Sequence, residues 1–177
     1  KQGKILSVSF KKKNNKGRSK YLGLLKSNVN DYFDKKNKKI NTNILLEGSE
    51  LQIKIWKELR KIPYGKTKSY ADIAKIVKTS PRYVGNVCGQ NKHLLIVPCH
   101  RVIKSDGTLG GFSGPGGLTL KKRLLKLEET EIFIPSTSSL LPDEIWTKHN
   151  LSLSTFKPMN SQSIAILPSK YIWSGKS

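Results

Sequence analysis

Five consecutive residues, Pro98-Cys99-His100-Arg101-Val102, put a thiol beside an imidazole directly after the apolar run Leu94-Leu95-Ile96-Val97. Thiolate is the reactive form of cysteine, and a free thiol with a pKa near ~8.5 is only a few per cent ionised at neutral pH. A base that removes the proton as attack occurs makes the sulfur a competent nucleophile. His100 is adjacent in sequence, which does not place its ring on the sulfur; direct contact and contact through one water both stay open. Taken alone, the pair is a weak motif, and a buried structural thiol behind an apolar segment is an equal reading.

The charge of the chain narrows the chemistry. Its 177 residues carry 33 Lys and Arg against 12 Asp and Glu, a formal net charge of +21. That excess favours phosphate backbones or anionic surfaces and says nothing of the fold, and lysine-rich composition also arises from genome base composition. A nucleophile in a basic chain suggests chemistry on nucleic acid. No run approaches the roughly twenty apolar residues of a membrane span. Cys88 and Cys99 do not make a disulfide framework for a chain of this size. No secretory leader is visible, although the first residue is Lys1. The expected setting is reducing and intracellular, cytoplasmic in a prokaryote and nuclear in a eukaryote.

The elements that must hold Cys99 are best punctuated in the middle third. Ser49 with Gln52 forms a capping box ahead of Ile55, Leu59 and Ile62 at helical spacing, with Trp56 alongside, and Pro63-Tyr64-Gly65 ends that helix. Ser69 can cap a second helix with Ile73, Ala74 and Val77 on its apolar face. Ser80 as N-cap and Pro81 as first residue begin a third, to about Gln90. Two short helices joined by a tight turn suggest a helix-turn-helix. Gly110-Gly111 and Gly114-Pro115-Gly116-Gly117 mark backbone pressed against something, or a flexible loop. Leu118 to Glu129 reads as a last amphipathic helix carrying Lys121, Lys122, Arg123 and Lys126.

The flanks are less clear. Leu6, Val8 and Phe10 alternate with serines as in a half-buried strand, Lys11 to Lys20 reads as a turn or loop, and Tyr21 to Leu25 as a second strand. Asn28 to Lys36 fits a short helix and Lys35 to Asn43 an exposed connector. Beyond Glu131, Ser, Thr, Asn and Pro dominate without a period. The expected division is a small N-terminal α/β domain over 1–45, a domain carrying the helix-turn-helix and the Pro98-to-Val102 segment over 46–130, and an extension of unassigned role over 131–177 whose basic residues add nonspecific DNA affinity.

Asn91 followed after six residues by Pro98-Cys99-His100-Arg101-Val102, with Tyr70-x11-Arg82 upstream and Gly111-Phe112-Ser113-Gly114 plus a Leu-Leu-x-x-Glu helix downstream, resembles the O6-alkylguanine-DNA alkyltransferase family. The resemblance spans about Leu51 to Glu129. It implies an α+β fold, with a small RNase H-like N-terminal α/β domain and a mostly helical, winged-helix or helix-turn-helix-like alkyltransferase domain. It implies repair by direct reversal: O6-alkylguanine, mainly O6-methylguanine and with O4-methylthymine a further candidate, is flipped out of duplex DNA and its alkyl group passes irreversibly to Cys99. One protein would act once, as a monomer in the minor groove, without a cofactor.

The same resemblance assigns roles. Cys99 matches the acceptor, His100 a base acting through a water, Glu128 the carboxylate that orients it, and Asn91 the bridge between recognition helix and active-site segment. Tyr70 and Ser113 match hydroxyls near the damaged base, Tyr70 also crowding the backbone phosphate. The carbonyls of Cys99 and Val102 match acceptors for the exocyclic amine. Arg82, flanked by Pro81 and Tyr83, matches the arginine that enters the duplex in place of the extruded nucleotide. Taken singly, Arg82 reads as a solvated helix charge, Asn91 as a C-cap, Tyr70 as core or surface, Glu128 as a routine ion-pair partner, and Cys88, His93 and His149 as bland.

The chain departs from the family pattern at four points. Phe112 stands where many relatives carry Tyr, keeping an aromatic wall without the hydroxyl. The loop Gly114-Pro115-Gly116-Gly117 looks about two residues longer than usual. Tyr83 follows Arg82 where a small residue would let the helix press into the groove. The N-terminal region lacks the Cys and His that bind structural zinc in some relatives, so no metal site is expected. Competing readings are a non-transferring lesion sensor, which in such relatives lacks the cysteine, a cysteine-histidine hydrolase, which would turn over, and a plain helix-turn-helix binder.

Overall fold

The computed structural model describes residues 4–10 and 19–130. The elements run α1 (Lys20–Phe33), α2 (Glu50–Leu59), β1 (Lys68–Ser69), α3 (Tyr70–Val77), α4 (Pro81–Gly89), a 3-10 turn (Cys99–Arg101), β2 (Val102–Ile103) and α5 (Gly117–Leu127). Five helices and a two-stranded parallel sheet, with Lys68 opposite Val102 and Ser69 opposite Ile103, make an α+β architecture. The sheet is small but decisive: it fixes the end of the 3-10 turn against the start of α3.

Local sequence accounts for the three central helices. Ser49 and Gln52 exchange both capping-box bonds at the start of α2, and Ser69 with Asp72 does the same for α3. Ser80 accepts from the Tyr83 backbone ahead of Pro81, so α4 begins where the sequence indicates. Between α3 and α4 the chain turns through Lys78 in the left-handed region (φ 58°), and Thr79 N–H returns to the Ala74 carbonyl at 2.9 Å. Ile73, Ala74 and Val77 face Val84 and Val87 in one core. Trp56 Nε1 donates to the Val87 carbonyl at 3.1 Å and ties α2 to α4.

The N-terminal region differs from expectation. Tyr21 to Leu25 is helical, not a strand: α1 starts at Lys20 and absorbs the helix expected from Asn28. Leu25, Val29 and Tyr32 recur at helical spacing and are buried, whereas Ser19 makes no side-chain cap that would flag the start. Residues 5–8 form single bridges rather than a strand. Ile5 pairs with Ile44 and Val8 with His93, threading this segment between two distant parts of the chain. Ile5, Val8 and Phe10 are buried and Leu6 only partly, so the alternation slips at its first residue. The connector 35–43 buries Ile40. Leu94 to Val97 is buried as expected but is wound in turns. Of the turn or loop expected over Lys11 to Lys20, residues 11–18 lie outside the described residues, as does the extension 131–177, and Lys20 already begins α1.

Candidate active site

Cys99 opens the 3-10 turn, is 3% exposed, and lies at the inner end of a cavity of about 610 Å³. Pro81, Arg82, Gly85, Cys88 and Gly89 of α4 line one side of it. Tyr70, Lys104 and the segment Gly110 to Ser113 line the rest. The helix-turn-helix and the thiol therefore share one opening. Arg82 and Pro81 are exposed at its rim. Tyr83, half-buried on α4, and Val102, fully buried, lie outside the lining.

Behind the sulfur the polar groups form two sets, one on Cys99 and one on His100. Asn91, one residue beyond the C-cap of α4, donates from Nδ2 to Cys99 Sγ at 3.2 Å and to the Val97 carbonyl at 2.8 Å. Its Oδ1 accepts from His93 N–H at 2.8 Å, so both ends of the amide are used and its orientation is set. His100 Nε2 lies 2.8 Å from Glu128 Oε1, with both side chains buried. His100 Nδ1 has no protein partner among the described residues.

Glu128 is the hub. Arg101 Nε and Nη2 reach it at 2.9 Å, the backbone N–H of Gly65 donates to Oε2 at 3.1 Å, and Tyr32 Oη of α1 donates to Oε1. Arg101 Nη1 also donates to the Ile62 carbonyl at 2.7 Å. The turn at Gly65 sits tightly on the end of α5. Gly65 has φ +72°, and a Cβ there would meet the Glu128 carbonyl oxygen at 2.9 Å.

These contacts set protonation. Burial alone would raise the Glu128 carboxyl, but the hydrogen bonds from His100 and Arg101 and the charge of Arg101 outweigh it and hold it at about 2. An ionised carboxylate only accepts, so His100 Nε2 carries the proton and Nδ1 carries the lone pair. Burial lowers His100 despite the carboxylate, keeping the ring neutral at rest. Burial pushes the Cys99 thiol up, opposed by the Asn91 donor and the positive charge of Lys121. The resting pair is a thiol and a neutral imidazole, which suits proton removal in concert with attack.

Matching sequence then supplies the family. Residues 50–130 match the family model described as 6-O-methylguanine DNA methyltransferase, DNA binding domain. A methylated-DNA–protein-cysteine methyltransferase of Metallosphaera sedula is 40% identical over 116 residues, covering 66% of this chain and 72% of the relative. The chain belongs to this family. A Sulfolobus acidocaldarius relative of the same description is 44% identical over 102 residues, and 58% of this chain spans 64% of it. Among solved structures, the Mycobacterium tuberculosis OGT in complex with DNA has 39% identity and a TM-score of 0.55, covering 58% of this chain and 63% of that one. An O6-methylguanine DNA methyltransferase from Methanococcus jannaschii has 31% identity and a TM-score of 0.50, covering 70% and 74%.

Of the residues singled out in the sequence, the structure buries Cys99 with Asn91 as one hydrogen-bonded pair and His100 with Glu128 as another, on the same active-site turn. Tyr70, Phe112, Ser113, Arg82 and Pro81 surround the cavity in front of it. Tyr70 Oη lies 3.4 Å from the Gly111 carbonyl, and burial raises its phenol, with the Cys88 and Cys99 sulfurs adding to the rise. Phe112 packs partly buried against the core. The Val102 carbonyl is already bonded to Lys121 Nζ at 2.5 Å. Cys88 is buried, as its bland reading held, yet it also lines the cavity. His93 is structural, with Nε2 at 2.9 Å from the Leu45 carbonyl. His149 lies outside the described residues. Sequence reasoning passed over Tyr32, Arg101 and Lys121. The first two act through Glu128 from afar. Lys121 had a visible signal: it shares a helical face with Leu124, Leu125 and Glu128. No helix among the described residues is long and apolar enough to cross a membrane, and no cluster of three metal-ligating side chains occurs among them.

Proposed function

We propose that this protein repairs DNA by direct reversal, moving the alkyl group of O6-alkylguanine, chiefly O6-methylguanine, onto Cys99 in a single irreversible turn. The observation that carries the reading is a buried, hydrogen-bonded thiol at the end of a cavity whose rim is the second helix of a helix-turn-helix. An O6-alkyl carbon is shielded in the base stack, so the nucleotide must be extruded, at a cost of a few kcal/mol. Arg82 at the rim fills the vacated space, with Pro81 and Tyr83 against the strand. Minor-groove docking suits a scanner for damage, because base readout there is degenerate. The basic surface supplies sequence-independent, salt-sensitive affinity.

In the pocket, Phe112 forms an apolar wall, Ser113 and Tyr70 present hydroxyls to the base, and the Cys99 carbonyl accepts from its exocyclic amine. The Val102 carbonyl, behind the lining and bonded to Lys121, joins it only through its second lone pair once the base is seated. His100 Nδ1 takes the Cys99 proton through a bridging water, the sulfur–carbon bond forms, and the carbon–O6 bond breaks. The electron pair returns to the guanine ring, which takes a proton from Tyr70. No cofactor enters the balance, since the repaired base is the leaving group. The finer architecture proposed is an RNase H-like N-terminal domain over 1–45 and a winged-helix alkyltransferase domain over 46–130, acting as a monomer.

The test is intact-protein mass after incubation with a duplex bearing one O6-methylguanine, beside Cys99→Ser. The expected result is one added methyl on the wild type and none on the variant. Tight lesion binding with no added mass would replace transfer by sensing, and turnover beyond one equivalent would point to a hydrolase.

A further inference from the structure

Helix α1 lies outside residues 50–130 that match the family model, yet its last turn sits on the carboxylate that holds His100. Tyr32 of that turn is 1% exposed and donates from Oη to Glu128 Oε1. Neighbouring contacts seat the turn on the end of α5. The Tyr32 ring meets the half-buried Tyr64 ring edge-on, with centroids 5.7 Å apart, and Tyr64 Oη donates to the Leu127 carbonyl at 3.0 Å. Lys35 Nζ pairs with Glu129 at 2.7 Å. The donors on Glu128 are unevenly divided. Oε2 accepts from Arg101 Nε at 2.9 Å and from Gly65 N–H at 3.1 Å. Oε1 accepts from His100 Nε2 at 2.8 Å, from Arg101 Nη2 at 2.9 Å and from Tyr32. A carboxylate oxygen offers about two lone pairs, so the three donors on Oε1 must share it. A phenol that only anchored α1 needs no part of the oxygen used by His100. Phenylalanine would fill the same space, and what the hydroxyl adds is a bond to that oxygen.

Sharing that oxygen bears on the base. Each donor on a carboxylate draws on its charge, and a protonated imidazole depends on the same charge for its stability. On the alkyl-transfer reading given above, in which His100 takes the Cys99 proton, we propose that Tyr32 is a positioning residue for the reaction. From α1 it holds Oε1 against His100, and its share of that oxygen limits how strongly Glu128 stabilises the protonated ring. His100 is thereby left without a proton when the thiol must give one up. The charged and titratable groups around this hub come from each element packed on it. Arg101 supplies the opposing charge from the 3-10 turn, and the Lys121 charge on α5 is felt at His100. Tyr64 stands beside Tyr32, with the Arg101 guanidinium 5.9 Å from its ring centroid. Burial and the Glu128 charge push the Tyr32 phenol well up, so it keeps its proton and stays a donor. Nothing is transferred to Tyr32: the proton passes from Cys99 to His100, and the phenol only divides the carboxylate between donors.

The test compares wild type, Tyr32→Phe and Tyr64→Phe in their reaction with free O6-benzylguanine between about pH 4 and 8, read by intact mass. The rate falls at low pH as His100 takes a proton, and the midpoint of that fall reports the ring. In Tyr32→Phe, Oε1 is left to His100 and Arg101, and the midpoint is expected to move to higher pH. Tyr64→Phe loses a hydroxyl bond beside the hub but not on Glu128, and is expected to keep the wild-type midpoint. A loss of stability alone moves neither. An unmoved midpoint in Tyr32→Phe, or an equal displacement in Tyr64→Phe, would overturn the proposal. Should Tyr32→Phe not fold, a ring-fluorinated tyrosine at position 32 keeps the shape and strengthens the donor. Its midpoint is expected at lower pH than that of wild type, and one unmoved or raised overturns the idea. The His100 titration followed by NMR gives the same midpoints without any alkyl transfer. The wild type is run in parallel on the O6-methylguanine duplex. Failure there would sink the transfer reading itself, while the NMR midpoints still decide the role of Tyr32.

Discussion

Replacing Glu128 by Gln keeps the shape of the hub and removes its charge, which isolates what the charge does. In the folded protein the carboxyl sits at about 2 against an ordinary 4.5. That difference corresponds to about 3 kcal/mol of stability at neutral pH. An independent route gives a similar size: removing one partner of a buried ion pair costs about 3–5 kcal/mol. Here Arg101 would be left 7% exposed without its counter-charge. Because the folded value lies below the unfolded one, the contribution is complete above about pH 5 and is lost as the pH falls towards 2. Urea unfolding followed by circular dichroism should show Glu128→Gln weaker by about 3 kcal/mol at pH 7, with roughly half of that gap remaining near pH 3. The gap must close, because the wild-type carboxyl itself becomes protonated. A gap below about 1 kcal/mol at pH 7, or one that stays constant down to pH 3, would refute the assignment of Glu128 as an ionised hub.

Arg82→Ala should slow repair in duplex DNA far more than reaction with free O6-benzylguanine, compared by intact mass on both substrates; equal losses would remove Arg82 from the extrusion step. Gly110→Ala would place a Cβ 2.6 Å from Tyr70 Cε2 and Oη, so the ring must move. The expected cost is about 1–3 kcal/mol in urea unfolding, with slower reaction even on the free base, and a variant matching wild type in both would show the contact to be slack. Ser80→Ala removes the acceptor for the Tyr83 N–H at the start of α4. It should lower stability by about 1 kcal/mol and weaken duplex binding, while unchanged binding would separate that cap from the DNA surface.

What the sequence revealed and what it hid divide by the range of the interactions. Ser49 with Gln52, Ser69 with Asp72, and Ser80 with Pro81 act within one helical turn, so α2, α3 and α4 were legible from neighbouring residues. Helix α1 lacks any such signal at Ser19, and Gly23 interrupts its apolar spacing, so its first turns resemble a strand. The pairing of His100 with Glu128 spans 28 residues and that of Tyr32 with Glu128 spans 96. No local pattern encodes contacts of that length; resemblance to a family pointed to the first and nothing pointed to the second. Lys121 was hidden by its neighbours Lys122 and Arg123, which make that stretch look uniformly solvated. Only the helical phase, set by Leu124, Leu125 and Glu128, turns it inward.

The arrangement also explains why recognition and chemistry need no moving part to be linked. Helix α4 carries Arg82 at its start, and Asn91, one residue past its C-cap, donates to Cys99. On the proposed function, a shift of α4 against DNA is passed to the donor on the sulfur only two residues beyond the helix. Tyr70 extends the coupling from α3, since its ring contacts the Gly110 backbone that Lys121 holds. Three elements thus converge on the active-site turn: the end of α4 through Asn91 on the sulfur, α3 through Tyr70 at the cavity, and α5 through Glu128 on His100 and Lys121 on the Val102 carbonyl. Each brings a group that acts on charge rather than on bulk. The reacting atom supplies none of its own activation at rest, which on the proposed function keeps a single-use nucleophile quiet until a base occupies the cavity in front of it.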